Sequence, residues 1–273
     1  MTQLPLLFVS HGSPMLAIEP GVVGPKLQAL GQRLLAKHAI KAVLVVSAHW
    51  QTDAQVGISG QAQPGVIHDF YGFPAALYEL DYDTAGAPGW AQTLQSLLTA
   101  AGVPAQVSQD RGLDHGAWVP LRYLFPEADQ QVLQMALPHP LNAQQAYDLG
   151  RLLQPLRDQG VLIVASGSLT HNLRDLGRGN QVVPYVGAFT QWVKEKLAAQ
   201  DVASLVDYRA LAPHAVRAHP SEEHFLPLLV ALGASVGSDA VAVMEGGVQY
   251  EALSMDGFVF GADAGAYLNS VTQ

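Results

Sequence analysis

Ala42-Val43-Leu44-Val45-Val46-Ser47-Ala48-His49-Trp50 is the stretch that decides the fold class. Its first five residues are apolar and mostly β-branched, with no alternation between faces. That is the pattern of a strand buried on both sides of a parallel sheet. The run then turns polar and meets a histidine. Leu6–Ser10, Val132–Ala136 and Val161–Ala165 repeat the device, each a short apolar run feeding a polar or glycine-containing turn. Between these runs lie stretches with helical spacing: Val23–His38, Trp90–Ala101, Ala143–Gln159 and Val186–Ala199. Strands alternating with helices predict an α/β fold, a mostly parallel central sheet flanked by helices on both faces. The C-terminal part differs. Val241–Met244, Val248–Leu253 and Phe258–Gly261 read as antiparallel strands, with Asp256-Gly257 as a tight turn, so the sheet is expected to be mixed. Ser59–Tyr82, rich in Gly, Pro and aromatics without periodicity, reads as a long ordered loop of the kind that covers a site.

The chain has 273 residues, with no internal repeat, low-complexity tract or linker-like run, so a single domain over 1–273 is expected. Hydrophobic residues at 49% and charged residues at 14% allow a sizeable core. A net charge of −9 without clustered Lys and Arg argues against nucleic acid as a partner. Leu4–Val9 is far shorter than the roughly 18 residues that span a bilayer, and no basic segment precedes it, so no membrane partner and a cytoplasmic location are expected. No residue pattern speaks to oligomeric state. With no Cys, a transition metal would have to take imidazole and carboxylate ligands, which turns attention to the ten histidines.

In open α/β sheets, ligands collect beyond the carboxyl ends of the strands. Three histidines occupy such places: His11 in Ser10-His11-Gly12-Ser13-Pro14, His49 in Ser47-Ala48-His49-Trp50, and His171 in Ser166-Gly167-Ser168-Leu169-Thr170-His171-Asn172. A lone histidine there is as readily a capping or hydrogen-bonding group, but three at matching ends are candidate ligands for a single metal. A fourth, His224, sits in His219-Pro220-Ser221-Glu222-Glu223-His224-Phe225. There Ser221 is expected to cap a short helix in which Glu222 and Glu223 serve either as ligands or as complements to its dipole. His115 follows Asp114, whose carboxylate is expected to tune it, and His139 lies between two prolines. Trp50, Trp118, Tyr71 and Phe73 are candidate walls for a planar ring, or ordinary core aromatics.

Taken in order, five motifs resemble those of the LigB-like extradiol aromatic ring-opening dioxygenases, in the 4,5-DOPA dioxygenase branch. They are Ser10-His11-Gly12-Ser13-Pro14-Met15, Ser47-Ala48-His49-Trp50, Leu113-Asp114-His115-Gly116-Ala117-Trp118-Val119-Pro120-Leu121, Ser166-Gly167-Ser168 with Thr170-His171-Asn172-Leu173, and Glu223-His224-Phe225-Leu226-Pro227-Leu228. The resemblance covers nearly the whole chain. It implies metal binding at His11, His49 and His224, with His171 as a fourth ligand or an acid–base group, and a catalytic or substrate-binding role for His115. Ser13, His139 and Trp118 are the candidate substrate contacts. Iron(II) is the cofactor expected for activity. Because protocatechuate-cleaving relatives place a glutamate where His224 falls here, the site is richer in imidazole and also suits zinc. The implied reaction takes a catechol and O2 to a muconic semialdehyde. The alternatives are a zinc-dependent hydrolase using the same histidines and a non-catalytic metal- or phenol-binding protein.

Overall fold

The computed structural model describes residues 3–177, 179 and 181–268. Ten strands and ten α-helices follow one another along the described chain. The strands are β1 (Leu6–Ser10), β2 (Ala42–Asp53), β3 (Val56–Ser59), β4 (Ala105–Ser108), β5 (Val132–His139), β6 (Val161–Gly167), β7 (Ala240–Met244), β8 (Val248–Gln249), β9 (Leu253–Ser254) and β10 (Gly257–Gly261). The helices are α1 (Val23–Lys37), α2 (Ala75–Tyr78), α3 (Pro88–Ala100), α4 (His115–Leu124), α5 (Ala143–Asp158), α6 (Pro184–Ala198), α7 (Val202–Val206), α8 (Tyr208–Leu211), α9 (Ala215–Ala218) and α10 (Leu226–Ala234).

Eight strands form one sheet in the order β4-β3-β5-β2-β6-β1-β10-β7. Its centre is parallel: β2 pairs with β5 and β6, and β6 with β1. Antiparallel pairings join β3 to β5, β1 to β10 and β10 to β7, which is the mixed sheet the sequence predicts. Along each central strand, side chains alternate between two cores. Leu6, Phe8, Leu44, Val46, Ile163 and Ala165 face the layer of α3, α5, α6 and α10. Leu7, Val9, Val43, Val45, Leu162 and Val164 face the layer of α1 and α4. Burial on both faces explains why these strands are apolar without alternation.

Local signals set the helices. Asn142 and Gln145 cap α5 reciprocally, and Asp114 caps α4 by accepting from the Ala117 N–H at 3.1 Å. Every residue of α10 is buried, as suits a helix apolar all round. Arg157 is also buried. It donates to the Leu4 carbonyl at 2.8 Å, the Ala234 carbonyl at 3.0 Å and the Asp239 carboxylate at 2.7 Å, tying α5 to the first strand and to the approach to β7. No described helix is long and apolar enough to cross a membrane.

Four expectations are corrected. Val248–Leu253 is not one strand but the two-stranded ribbon β8–β9, turning at Tyr250 (φ 47°) and Glu251 (φ 66°). The tight turn is therefore there and not at Asp256-Gly257, where Gly257 opens β10 and Asp256 accepts from the Gly246 N–H at 2.8 Å. Glu222, Glu223 and His224 lie in a turn ahead of α10 and not in a helix; α10 starts after them at Leu226, with Pro227 in its first turn. Finally, the apolar run read as the strand Ala42–Ser47 extends further: β2 runs to Asp53, its pairing with β5 resuming at Gln51 after a break in register following Val46. The residues between form a wide bulge, which re-aims side chains out of the ladder.

Candidate metal centre and its pocket

β1 and β6 end side by side, Ser10 opposite Gly167, and the pairing of β2 with β6 stops beside them, Ser47 opposite Ser166. His11 follows the end of β1 and is fixed by its N–H to the Gly167 carbonyl at 3.0 Å. Gly12, at φ +63°, then turns the chain where a Cβ would stand 2.6 Å from the Met255 side chain. His49 rides the bulge of β2. His224 comes from far along the chain and is docked on the end of β6. The Ser168 N–H donates to its carbonyl at 2.9 Å, and a Cβ on Gly167 would lie 2.2 Å from that same oxygen.

The three rings meet through one atom each. The Nε2 of His49 lies 3.0 Å from Nε2 of His11 and 3.2 Å from Nε2 of His224. The opposite nitrogens all face oxygen. His11 Nδ1 is 2.9 Å from Ser166 Oγ, whose own hydrogen goes to the Gly116 carbonyl. His224 Nδ1 is 2.9 Å from Glu223 Oε1, and His49 Nδ1 is 3.6 Å from Asp69 Oδ2. Ser166 and Glu223 draw the ring protons of His11 and His224 to Nδ1, and the Asp69 carboxylate biases His49 the same way, leaving three Nε2 lone pairs aimed at one another, the orientation that outer carboxylates and hydroxyls impose on metal-binding imidazoles. Burial above all, then the neighbouring imidazoles, holds His11 and His224 well below the ordinary histidine range. Burial likewise brings His49 down to about 3. The rings are therefore neutral, as ligands must be. Nitrogens bound at about 2.1 Å to one ion and roughly at right angles stand about 3.0 Å apart, so the donor set fits a single transition metal.

Two more histidines flank this hub. His115 opens α4 and lies 4.1 Å, ring to ring, from His49. Its partner is not the adjacent Asp114 but Asp69. One oxygen of Asp69 accepts the His115 N–H at 2.9 Å and faces His115 Nδ1 at 3.0 Å. Burial would raise the Asp69 carboxyl, but the hydrogen bonds it accepts from His115 and the imidazoles of His115 and His49 beside it outweigh this and bring it to about 2. Asp114 instead accepts from Ser47 Oγ at 2.7 Å, from Arg111 at 3.1 Å and from Gln134. Burial still pushes its carboxyl up. On the other side, His171 stacks on His224 with ring centres 3.4 Å apart and planes at 10°. Within reach of a common ion lie, in one grouping, His11, His49 and His115, and in another, His171, Glu223 and His224.

A pocket of about 450 Å³ opens over the cluster. Ser13, His49, His115 and His171 form its floor and sides, with Phe70, Tyr71 and Phe73 from the long loop and Tyr250 and Leu253 from the β8–β9 ribbon. Two expected substrate contacts are not there. Trp118 is fully buried and donates its indole N–H to the Ile67 carbonyl at 3.2 Å, so it anchors the loop from beneath. His139 lies exposed at the far end of β5, outside the pocket lining. Trp50 is likewise buried, 5.1 Å beneath the Arg111 guanidinium. Sequence reasoning missed Asp69, Ser166 as the His11 acceptor, and the ribbon. The only trace of Asp69 was an acid within a long aromatic loop.

Comparison with known proteins supplies the family. Residues 5–261 match the family described as the catalytic LigB subunit of aromatic ring-opening dioxygenase. The 4,5-DOPA dioxygenase extradiol of Beta vulgaris is 41% identical over 84% of this chain and 85% of its own. That of Escherichia coli K12 is 37% identical over 93% of each. The crystal structure of an uncharacterized protein from Escherichia coli K12 superposes with a TM-score of 0.81 at 32% identity, covering 95% of this chain and all of the other. An α/β sheet whose strand ends gather five histidines, matched over this length, places the chain in the family of the catalytic LigB subunit of aromatic ring-opening dioxygenases.

Proposed function

We propose that this extradiol ring-cleaving dioxygenase holds iron(II) on His11, His49 and His224 and opens a catechol, the class to which the DOPA of its relatives' names belongs, to a muconic semialdehyde. The observation that carries the reading is the meeting of three Nε2 atoms at 3.0 and 3.2 Å, each ring turned by an oxygen behind it. Bound on these three imidazoles, iron(II) would supply the electron transfer to O2 that ring opening needs, which redox-inert zinc would not.

The remaining work falls to the chain. Asp69 holds the His115 proton on Nδ1, so Nε2 of His115 carries the lone pair and takes a proton from the catechol. His171, across the pocket and stacked on His224, is positioned to return a proton as the ring opens. Phe70 and Phe73 flank the flat face of the substrate and keep water from the reacting atoms. His171 acts here as an acid–base group and not as a fourth ligand, since its ring lies parallel to His224 while the other three converge tip to tip.

Anaerobic loading with iron(II), followed by air and a catechol panel, tests this. The expected result is oxygen uptake with a yellow product, absent with zinc. Ring opening by the zinc form, or none by the iron form, contradicts the assignment.

A further inference from the structure

Two elements distant in the chain meet behind the histidine hub: the bulge of β2, which carries His49, and the first turn of α4, which carries His115. His49 lies where pairing with β5 is interrupted, between Val46 and Gln51, and its backbone is held by side chains. Its N–H donates to Ser47 Oγ at 3.2 Å, and its carbonyl accepts from Arg111 at 3.4 Å. Ser47 in turn donates to Asp114 Oδ1 at 2.7 Å, and Arg111 to Asp114 Oδ2 at 3.1 Å. Both polar backbone groups of His49 thus lead to one fully buried carboxylate.

The same carboxylate fastens α4. Oδ1 accepts from the Ala117 N–H at 3.1 Å, and Oδ2 also accepts from the Gln134 amide of β5. The helix is pressed close to the bulge, since a Cβ on Gly116 would stand 2.5 Å from Ser47 Oγ and 3.1 Å from His49 Cδ2. Four donors on two oxygens fill the acceptor sites of a carboxylate. A helix cap alone needs one acceptor oxygen, which Asn supplies as well as Asp. At the second oxygen, however, the NH2 of Asn would face the Arg111 guanidinium donor to donor. The second oxygen therefore serves something other than the cap.

Resting on the metal-site and catechol-opening reading, we infer that Asp114 is a positioning residue that braces the bulge of β2 against α4. It fixes where His49 offers its Nε2 to the metal and where His115 stands beside it.

The test compares the parent with Asp114→Asn, Arg111→Met, Ser47→Ala and the Asp114→Asn, Arg111→Met double variant. Two readouts are taken: calorimetric zinc affinity of the metal-free protein, and kcat and KM for oxygen uptake with catechol by the iron(II) enzyme. Asp114→Asn, with the cap preserved, should weaken zinc binding and lower kcat by about tenfold or more, the usual cost of a lost outer carboxylate, while KM moves less than about threefold. Arg111→Met should cost about fivefold in zinc affinity alone but less than about twofold on top of Asp114→Asn, because both changes break one path. Parent-like zinc affinity and kcat in Asp114→Asn, or equal costs of Arg111→Met in both backgrounds, overturn the inference. Should Asp114→Asn not fold, Ser47→Ala and Arg111→Met each break one arm of the brace, and parent-like zinc affinity in both overturns it equally. If the parent iron enzyme opens no catechol, it is the dioxygenase mechanism that fails, and the zinc affinities alone decide the brace.

Discussion

Asp69 shows what single residues contribute beyond their own chemistry. One of its oxygens takes both the backbone and ring nitrogens of His115, and the other faces His49, so one carboxylate orients the proposed base and a proposed ligand together. Asp69→Asn keeps the shape and removes the charge. Loss of such an outer carboxylate typically costs about 10- to 100-fold in activity or metal affinity. The variant is expected to lose turnover to that extent, with His115 no longer fixed in one tautomer; wild-type kcat would contradict the role. His115→Ala is expected to retain metal and lose turnover by about 10²–10⁴-fold, the usual worth of a general base, whereas His11→Ala should lose both, as metal analysis of the purified variants would show. His11, His49 and His171 were legible in the sequence because strand ends are where such sheets gather ligands, whereas the roles of His224 and His115 came from the family resemblance. Asp69 was not, since its contact depends on the path of an irregular loop. Trp118 was misread because a large aromatic beside a catalytic motif serves equally as an anchor in the core.

Elements place these residues through two irregularities. The bulge in β2 lets His49 leave the ladder while the strand continues to Asp53. The tight approach of Gly167 lets the His224 turn sit directly on the end of β6. Gly167→Ala therefore pushes on the His224 carbonyl from 2.2 Å. Overpacking of this kind costs about 1–3 kcal/mol, and here it should also weaken metal retention; a variant with unchanged urea midpoint and unchanged metal content would show that the docking does not matter. The apolar runs announced the strands with nearly correct starts, because burial on both faces leaves an unmistakable pattern. The bulge could not be read, as it exists only relative to the β5 partner. The ribbon misled for a related reason: Tyr250 and Glu251 adopt positive φ, which Asn, Asp and Gly usually supply, so Asp256-Gly257 offered the stronger local signal.

At the scale of the whole molecule, the buried imidazoles link stability to pH. His219 is fully buried and donates to the Leu169 carbonyl, and burial brings it from 6.5 to about 3. The folded state thus refuses a proton that the unfolded chain accepts below pH 6.5. Its contribution is complete above that pH and is lost as pH falls toward 3, reaching about 2 kcal/mol by pH 5 at roughly 1.4 kcal/mol per unit. Urea unfolding at pH 7 and pH 5 should show a smaller acid loss in His219→Asn than in the parent; equal losses would mean that this histidine does not set the acid limit. The same burial keeps His11, His49 and His224 neutral, as the proposed metal ligands must be. Anaerobic calorimetric titration of the metal-free protein with iron(II) tests this most directly. One equivalent should bind to the parent and none to a folded His49→Ala variant. Binding of one equivalent to that variant with undiminished affinity would mean that the three converging imidazoles are not where the metal sits.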